Sequence, residues 1–147
     1  MTLKLLLDTL KAKYDAATGT HLASAYVYIG DEPTTPTTAV ILKLIPETTR
    51  VEFLAIGNQD AYCNWTILIR ALMPGYREQD RGTVDQFELL QEVLQIVQDN
   101  LSMSISGAQV DYQSLEYGIG WDVNGENAQR AVEVRVVYQG PHLVPTA

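Results

Sequence analysis

The chain has 147 residues, of which 46% are hydrophobic and 19% charged, and its formal net charge is −8. This length and composition predict one globular domain, 1–147, large enough for a core of its own. No apolar run approaches the ~20 residues that a membrane span requires, and the N-terminus favours an amphipathic helix over a signal peptide. The single cysteine, Cys63, excludes an internal disulfide and a thiolate metal cluster, and we expect it to be a small buried hydrophobe.

The first half of the chain predicts one helix and four strands. In order, these are a helix at 2–15 and strands at 21–29, 39–45, 50–56 and 62–73. A proline- and threonine-rich stretch at 30–38 predicts a flexible arm. A turn at Pro46 would join the second and third strands as a hairpin. Because the last three strands follow one another through short turns, a meander is the economical topology.

The second half predicts a long helix followed by two strands. The helix lies at 83–101, the strands at 109–117 and 128–139, and an extended tail at 140–147. Thr83 and Gln86 have the spacing of a capping box at the helix start. The order of helix, strands, helix and strands favours an α+β fold. We expect a mostly antiparallel sheet, a meander plus the C-terminal strands, with two α-helices packed on one face.

The helix at 83–101 has more apolar surface than one sheet face usually covers. One stripe consists of Phe87, Leu90, Leu94, Val97 and Leu101. A second apolar row, Leu89, Val93 and Ile96, is predicted to contact another subunit. The preceding loop contributes further interface candidates, because tyrosine and arginine are enriched at contact centres. These candidates are Tyr76, Arg77 and Arg81.

The opposite side of this helix is acidic. No lysine or arginine lies between Arg81 and Arg130. Because such an acidic segment repels phosphate, it is not expected to form a nucleic-acid-binding surface. The acidic residues of the helix are Asp85, Glu88, Glu92 and Asp99. One interpretation is a channel lining along which DNA slides without sticking. The alternative is a solvated face that keeps the protein soluble.

The sequence contains no recognisable catalytic motif. His21 and His142 have no metal-ligand partner at helical spacing, and neither an HExxH nor a phosphate-loop pattern occurs. Asp111, Glu116 and Asp122 could form the divalent-metal cluster of a small nuclease, but strand alternation would place the first two on opposite faces. We therefore predict no catalytic residue, no cofactor and no metal.

The layout as a whole resembles the tail terminator, or tail completion, proteins of long-tailed bacteriophages, the group that includes the lambda-type minor tail protein. The likeness consists of an opening helix, a proline-rich break before the strands, a central amphipathic helix and a closing strand, AVEVRVVYQ at 131–139, with a ragged tail. It spans most of the chain and is one of architecture, without a diagnostic motif.

The resemblance implies a structural virion protein, assembled in the host cytoplasm, that forms a hexameric ring. Such a ring ends the tail tube and joins it to the head-completion or connector protein of the neck, while DNA only passes through. It implies no catalysed reaction and no membrane partner. Four alternatives remain open: a head-completion or connector protein, a tail-tube subunit, a small metal-dependent nuclease, and an acidic module that binds a basic partner.

Overall fold

The computed structural model describes residues 3–31, 39–53, 61–73, 79–124 and 127–141, without the side chains of 53, 61, 79–82, 123–124 and 127–128. Its elements are α1 Leu3–Asp15, β1 Tyr26–Ile29, β2 Ile41–Phe53, β3 Ala61–Met73, α2 Gln79–Asp99, β4 Ser102–Ile105, β5 Ala108–Asn124 and β6 Asn127–Pro141. The strands form one six-stranded sheet in the order β1-β2-β3-β6-β5-β4. Only the β1–β2 pairing is parallel among these neighbours. The predicted α+β fold with a mostly antiparallel sheet is therefore confirmed.

Both helices pack on the same face of the sheet and bury one core with it. The helical members of this core are Leu6, Leu7, Leu10 and Tyr14 on α1 and Leu89, Leu90, Val93 and Val97 on α2. Alternate residues of the central strands complete it, among them Trp65, Ile67, Ile69, Val132, Val134 and Val136. Cys63 is fully buried in this core, as predicted, and burial raises the pKa of its thiol.

The predicted hairpin at Pro46 is wrong, because residues 41–53 form a single strand. β2 continues through Pro46 with a register shift between Pro46 and Thr49. β1 pairs with β2 only at Ile41–Leu44. The carbonyl oxygen of Leu44 accepts from Gly30 on the β1 side of β2, and Pro46, two residues on, faces the same side. Because no described strand pairs with β2 there, the missing N–H of proline leaves no hydrogen-bond acceptor unsatisfied. Residues 21–29 also differ from the prediction, because His21 lies in a turn and β1 begins only at Tyr26.

The C-terminal strands are longer than predicted. The connection at 102–107 contains β4, and β5 continues past Gly118 to the hairpin end, where Asn124 pairs with Asn127. A β-bulge between Tyr112 and Ser114 shifts the register of β5. Because the bulge adds one residue, the side chains after it lie on the opposite face of the sheet from the one that strict alternation along β5 would give them.

Several predicted features lie wholly or partly outside the described residues. These are Tyr76 and Arg77, the arm from residue 32 to 38, the tail from residue 142 onward, and the side chain of Arg81. The second helix begins at Gln79, before the predicted Thr83 cap. Among the described helices, none has the length and apolar character that crossing a bilayer demands.

Candidate assembly surface

The helix row predicted to contact another subunit lies inside the protomer. Leu89 and Val93 are 0% exposed, and Ile96 is partly buried against the same core. The prediction is therefore wrong for Leu89 and Val93. The reason is the rotation of α2 on the sheet: the helix lies over β6 and turns this row toward the strands together with Leu90 and Val97 of the other stripe. Of that stripe, only Phe87 and Leu101 remain exposed.

A different apolar surface is exposed beside this helix, and we name it the α2–β5 strip. It consists of Val84 and Phe87 on α2, Leu101 just after that helix, and Tyr117, Ile119 and Trp121 on β5. The exposed fractions range from 43% for Ile119 to 59% for Tyr117. Large apolar side chains exposed singly are ordinary, whereas a contiguous group of them marks an interaction site.

The geometry of the two elements places these side chains together. Val84 and Phe87 lie three residues apart and therefore on one flank of α2. Leu101 lies just beyond the end of the helix, where its carbonyl oxygen accepts the N–H of Tyr112 on β5 at 2.8 Å. On β5, Tyr117 pairs with Val134 and Ile119 with Val132, so both point to the helix side of the sheet. Because α2 lies over β6, these β5 side chains remain beside the helix instead of beneath it.

A cleft continues the strip toward the C-terminal end of α2. Its volume is about 320 Å³. Its lining consists of Leu94, Val97, Gln98, Leu101, Tyr112 and Leu115. Because Leu101 belongs to both, the cleft and the strip form one largely apolar surface between α2 and β5.

A buried polar network fixes the start of α2 against β5 and β6. The Gln86 side chain, only 4% exposed, donates through Nε2 to the carbonyl oxygens of Gly120 at 2.9 Å and Ala131 at 2.8 Å. Arg130 Nη1 lies 3.4 Å from Oε1 of Gln86. The guanidinium of Arg130 also lies 4.4 Å from the ring centroid of Trp121, a cation–π contact that orients the indole.

The strip borders an open edge of the sheet, which we define as residues 114–124 of β5. The β4 strand pairs with β5 only at Ala108–Asp111. Within the described part of the chain, residues 114–124 pair with β6 alone. An edge of this length presents backbone N–H and C=O groups to any strand that approaches. At the other end of the sheet, β1 is a second edge, with Tyr26 and Tyr28 exposed.

The acidic residues of α2 divide into two pairs. Glu88 and Asp99 are exposed, but Asp85 is only 8% exposed. The Glu92 carboxylate accepts the backbone N–H groups of His21 at 2.9 Å and Leu22 at 3.2 Å. The prediction that Asp85 and Glu92 face a channel is therefore wrong, because α2 lies against the turn after α1.

The carboxylates considered for a nuclease do not form a shared site. The bulge in β5 places Asp111 opposite Gln139 and Glu116 opposite Arg135, so both lie on the sheet face away from the helices, contrary to the alternation argument. Their separation along the strand is still on the order of 13 Å. Glu116 accepts a hydrogen bond from Arg135 at 3.2 Å. Hydrogen bonds from Gln109 and Ser102 lower the pKa of Asp111.

Comparison with known proteins identifies no family. No family model matches the chain, and no curated protein matches it. One solved structure, whose name describes no function, is similar with a TM-score of 0.49 and 18% identity over 97% of this chain and 92% of that chain. A likeness this distant carries no argument about function.

The strip residues on β5 were missed by sequence reasoning, although a signal was present. Tyr117, Ile119 and Trp121 alternate with Gly118 and Gly120, which is the period of a strand with one bulky face. The glycines and the nearby Asn124-Gly125 pair favoured a turn region instead. The alternation across the glycines would have located this surface.

Proposed function

We propose that this chain is the subunit of a homo-oligomeric ring, a hexamer, that ends the tail tube of a phage and joins the tail to the head through the neck. Its partners are copies of itself, the tail-tube protein and a head-completion or connector protein. DNA passes through the ring without specific binding, and the protein catalyses no reaction. The observation that carries the assembly part of this proposal is the α2–β5 strip beside the open edge of β5, whereas the place in a tail follows from the resemblance in layout.

Burial of the strip provides the driving force for assembly. Removing apolar surface from water contributes about 25 cal/mol per Å², and aromatic residues such as Tyr117, Trp121 and Phe87 dominate the energy of many protein interfaces. The adjoining edge adds backbone hydrogen bonds that fix the register of an incoming strand. Together they support a protein whose work is contact with other protein chains.

The strand directions are compatible with head-to-tail assembly. β1 runs parallel to β2, and each later step across the sheet to β3, β6 and β5 reverses direction. β1 and β5 therefore run in opposite directions at the two sides of the sheet. If the sheet of a second copy continues from β5, its β1 lies antiparallel to this edge. Such a heterologous contact closes a ring when its rotation permits and forms a filament otherwise.

Native mass spectrometry and negative-stain electron microscopy test the oligomer directly. The purified protein, alone and mixed with tail tubes from the same virion, should form closed six-membered rings, free in solution or at one end of the tubes. Filaments of the protein alone would instead identify a tube subunit. A protein that stays monomeric at every concentration and leaves tube ends bare would contradict the proposal.

An Ile119→Lys variant tests whether the strip is the contact. Ile119 is 43% exposed, so we expect the variant to fold normally but to lose ring formation and tube capping, because a charge would lie in a desolvated contact. Tyr62→Lys is the matched control, since Tyr62 is 41% exposed on β3, an inner strand of the sheet away from the strip and from both sheet edges. If both variants assemble like the unmodified protein, the contact lies elsewhere.

A further inference from the structure

A histidine and two carboxylates meet where the turn after α1 lies against α2. Donor atoms of His21, Asp85 and Glu88 lie within 4.8 Å of one another. Nε2 of His21 is 3.0 Å from Oε2 of Glu88. A third carboxylate, Glu92, has Oε2 at 3.9 Å from the same nitrogen. We name His21, Asp85 and Glu88 the turn–helix triad.

The triad is held in place by the fold on both sides. Asp85 and Glu88 are three residues apart and therefore neighbours on one flank of α2. His21 is brought to them by the backbone, because Glu92 accepts the N–H groups of His21 and Leu22. The imidazole is shielded as well, since the His21 side chain is only 13% exposed. These constraints act on the two elements independently of any contact between the triad side chains.

The spacing of the donors suits a metal ion. Two ligands about 2.1 Å from Zn²⁺ at a tetrahedral angle are about 3.4 Å apart, close to the 3.0 Å between Nε2 of His21 and Oε2 of Glu88. An open surface depression of about 450 Å³, lined in part by Glu88 and Glu92, lies beside the triad. The carboxylate of Glu88 is therefore reachable from solvent.

We propose that the turn–helix triad binds one divalent transition-metal ion of the Zn²⁺ class, with the imidazole of His21 and the carboxylates of Asp85 and Glu88 as ligands. A mixed nitrogen and oxygen donor set favours Zn²⁺ and its neighbours, whereas Mg²⁺ and Ca²⁺ prefer oxygen ligands alone. The bound ion joins the turn after α1 to the first half of α2. It therefore stabilises the folded protomer by mass action.

Isothermal titration calorimetry on tag-free, chelator-treated protein tests the site with Zn²⁺ and then Mg²⁺. We expect one Zn²⁺ per chain, a higher melting temperature on binding, and no comparable response to Mg²⁺. Loss of even an outer-shell partner weakens metal affinity about 10- to 100-fold. His21→Gln and Glu88→Gln should therefore each weaken Zn²⁺ binding at least about tenfold.

Two controls separate this site from chance binding. Asp99→Asn removes another exposed carboxylate of α2, and His142→Ala removes the other histidine of the chain; both should bind Zn²⁺ like the unmodified protein. Glu88→Gln is the variant that preserves the fold, because that side chain is 52% exposed. Absence of stoichiometric Zn²⁺ binding, or unchanged binding in both triad variants, would overturn the proposal.

Discussion

Two buried tyrosines differ in whether their hydroxyl groups have a hydrogen-bond partner. The hydroxyl of Tyr14 donates to the carbonyl oxygen of Val93 at 3.0 Å and so joins the two helices. The hydroxyl of Tyr138 is buried and has no hydrogen-bond partner within the described residues. A buried polar group without a partner costs free energy relative to its solvated state, whereas a satisfied one contributes a modest net amount.

Phenylalanine at these positions should therefore have opposite effects on stability. We expect Tyr14→Phe to lower the free energy of unfolding by about 1–2 kcal/mol, because the Val93 carbonyl loses a donor. Tyr138→Phe should leave it unchanged or raise it, because only an unsatisfied hydroxyl is removed. Urea denaturation followed by circular dichroism measures both. Equal destabilisation by the two substitutions would show that Tyr138 has a partner after all.

At the scale of elements, the contact between the turn after α1 and α2 depends on a glycine. A Cβ atom at Gly19 would overlap the carboxylate of Glu92, the group that accepts the amides of His21 and Leu22. The carboxylate could move aside only by giving up these hydrogen bonds. Gly19 is therefore required for close approach, and the turn and the helix are positioned by one charged side chain.

Gly19→Ala should destabilise the protein by about 1 kcal/mol. Hydrogen bonds to a charged group contribute about 1.5–3 kcal/mol, and the smaller entropy of alanine in the unfolded chain offsets about 0.4–1 kcal/mol. Gly118→Ala is the control, because its Cβ would meet nothing within 4 Å. In a Glu92→Ala background the penalty at Gly19 should disappear. A penalty that persists there would locate the clash in the backbone instead.

At the scale of the whole molecule, the same tyrosines make folding sensitive to alkaline pH. Burial raises the pKa of Tyr14 and of Tyr138 above the ordinary 10.0, with a smaller contribution from neighbouring tyrosines. A raised pKa means that the folded protein holds the proton more tightly than the unfolded chain does. The resulting stability is complete below pH 10 and is lost as the pH rises through the raised values.

Alkaline titration should therefore show tyrosine ionisation coupled to unfolding. We expect the free energy of unfolding to fall steadily above about pH 10, with tyrosinate absorbance and loss of circular dichroism appearing together for the buried groups. A Tyr14→Phe, Tyr138→Phe double variant should show a weaker dependence over the same range. Ionisation of every tyrosine before any loss of ellipticity would contradict the assigned burial.

The sequence pattern alone predicted those features that depend on a single helix or strand. Periodicity predicted the helix at 2–15 and the strand at 128–139, because each periodicity belongs to a single element. The residues that carry these two periods are buried in the structure: Leu6, Leu10 and Tyr14 on α1 and Val132, Val134 and Val136 on β6. The fold class followed from the order of such elements. The acidic stretch between Arg81 and Arg130 was equally plain, since charge is read directly from the residues.

Only the tertiary structure decided which surfaces remain exposed. A helix whose apolar surface is wider than the area that a sheet covers can bury either of its apolar rows. The position of α2 over β6 buried Leu89 and Val93 and left Phe87 exposed to solvent. The bulge after Tyr112 and the meeting of His21 with Asp85 likewise depend on residues far apart in the chain. Sequence periodicity describes each element about its own axis. The rotation and neighbours of that element are determined only when the whole core packs.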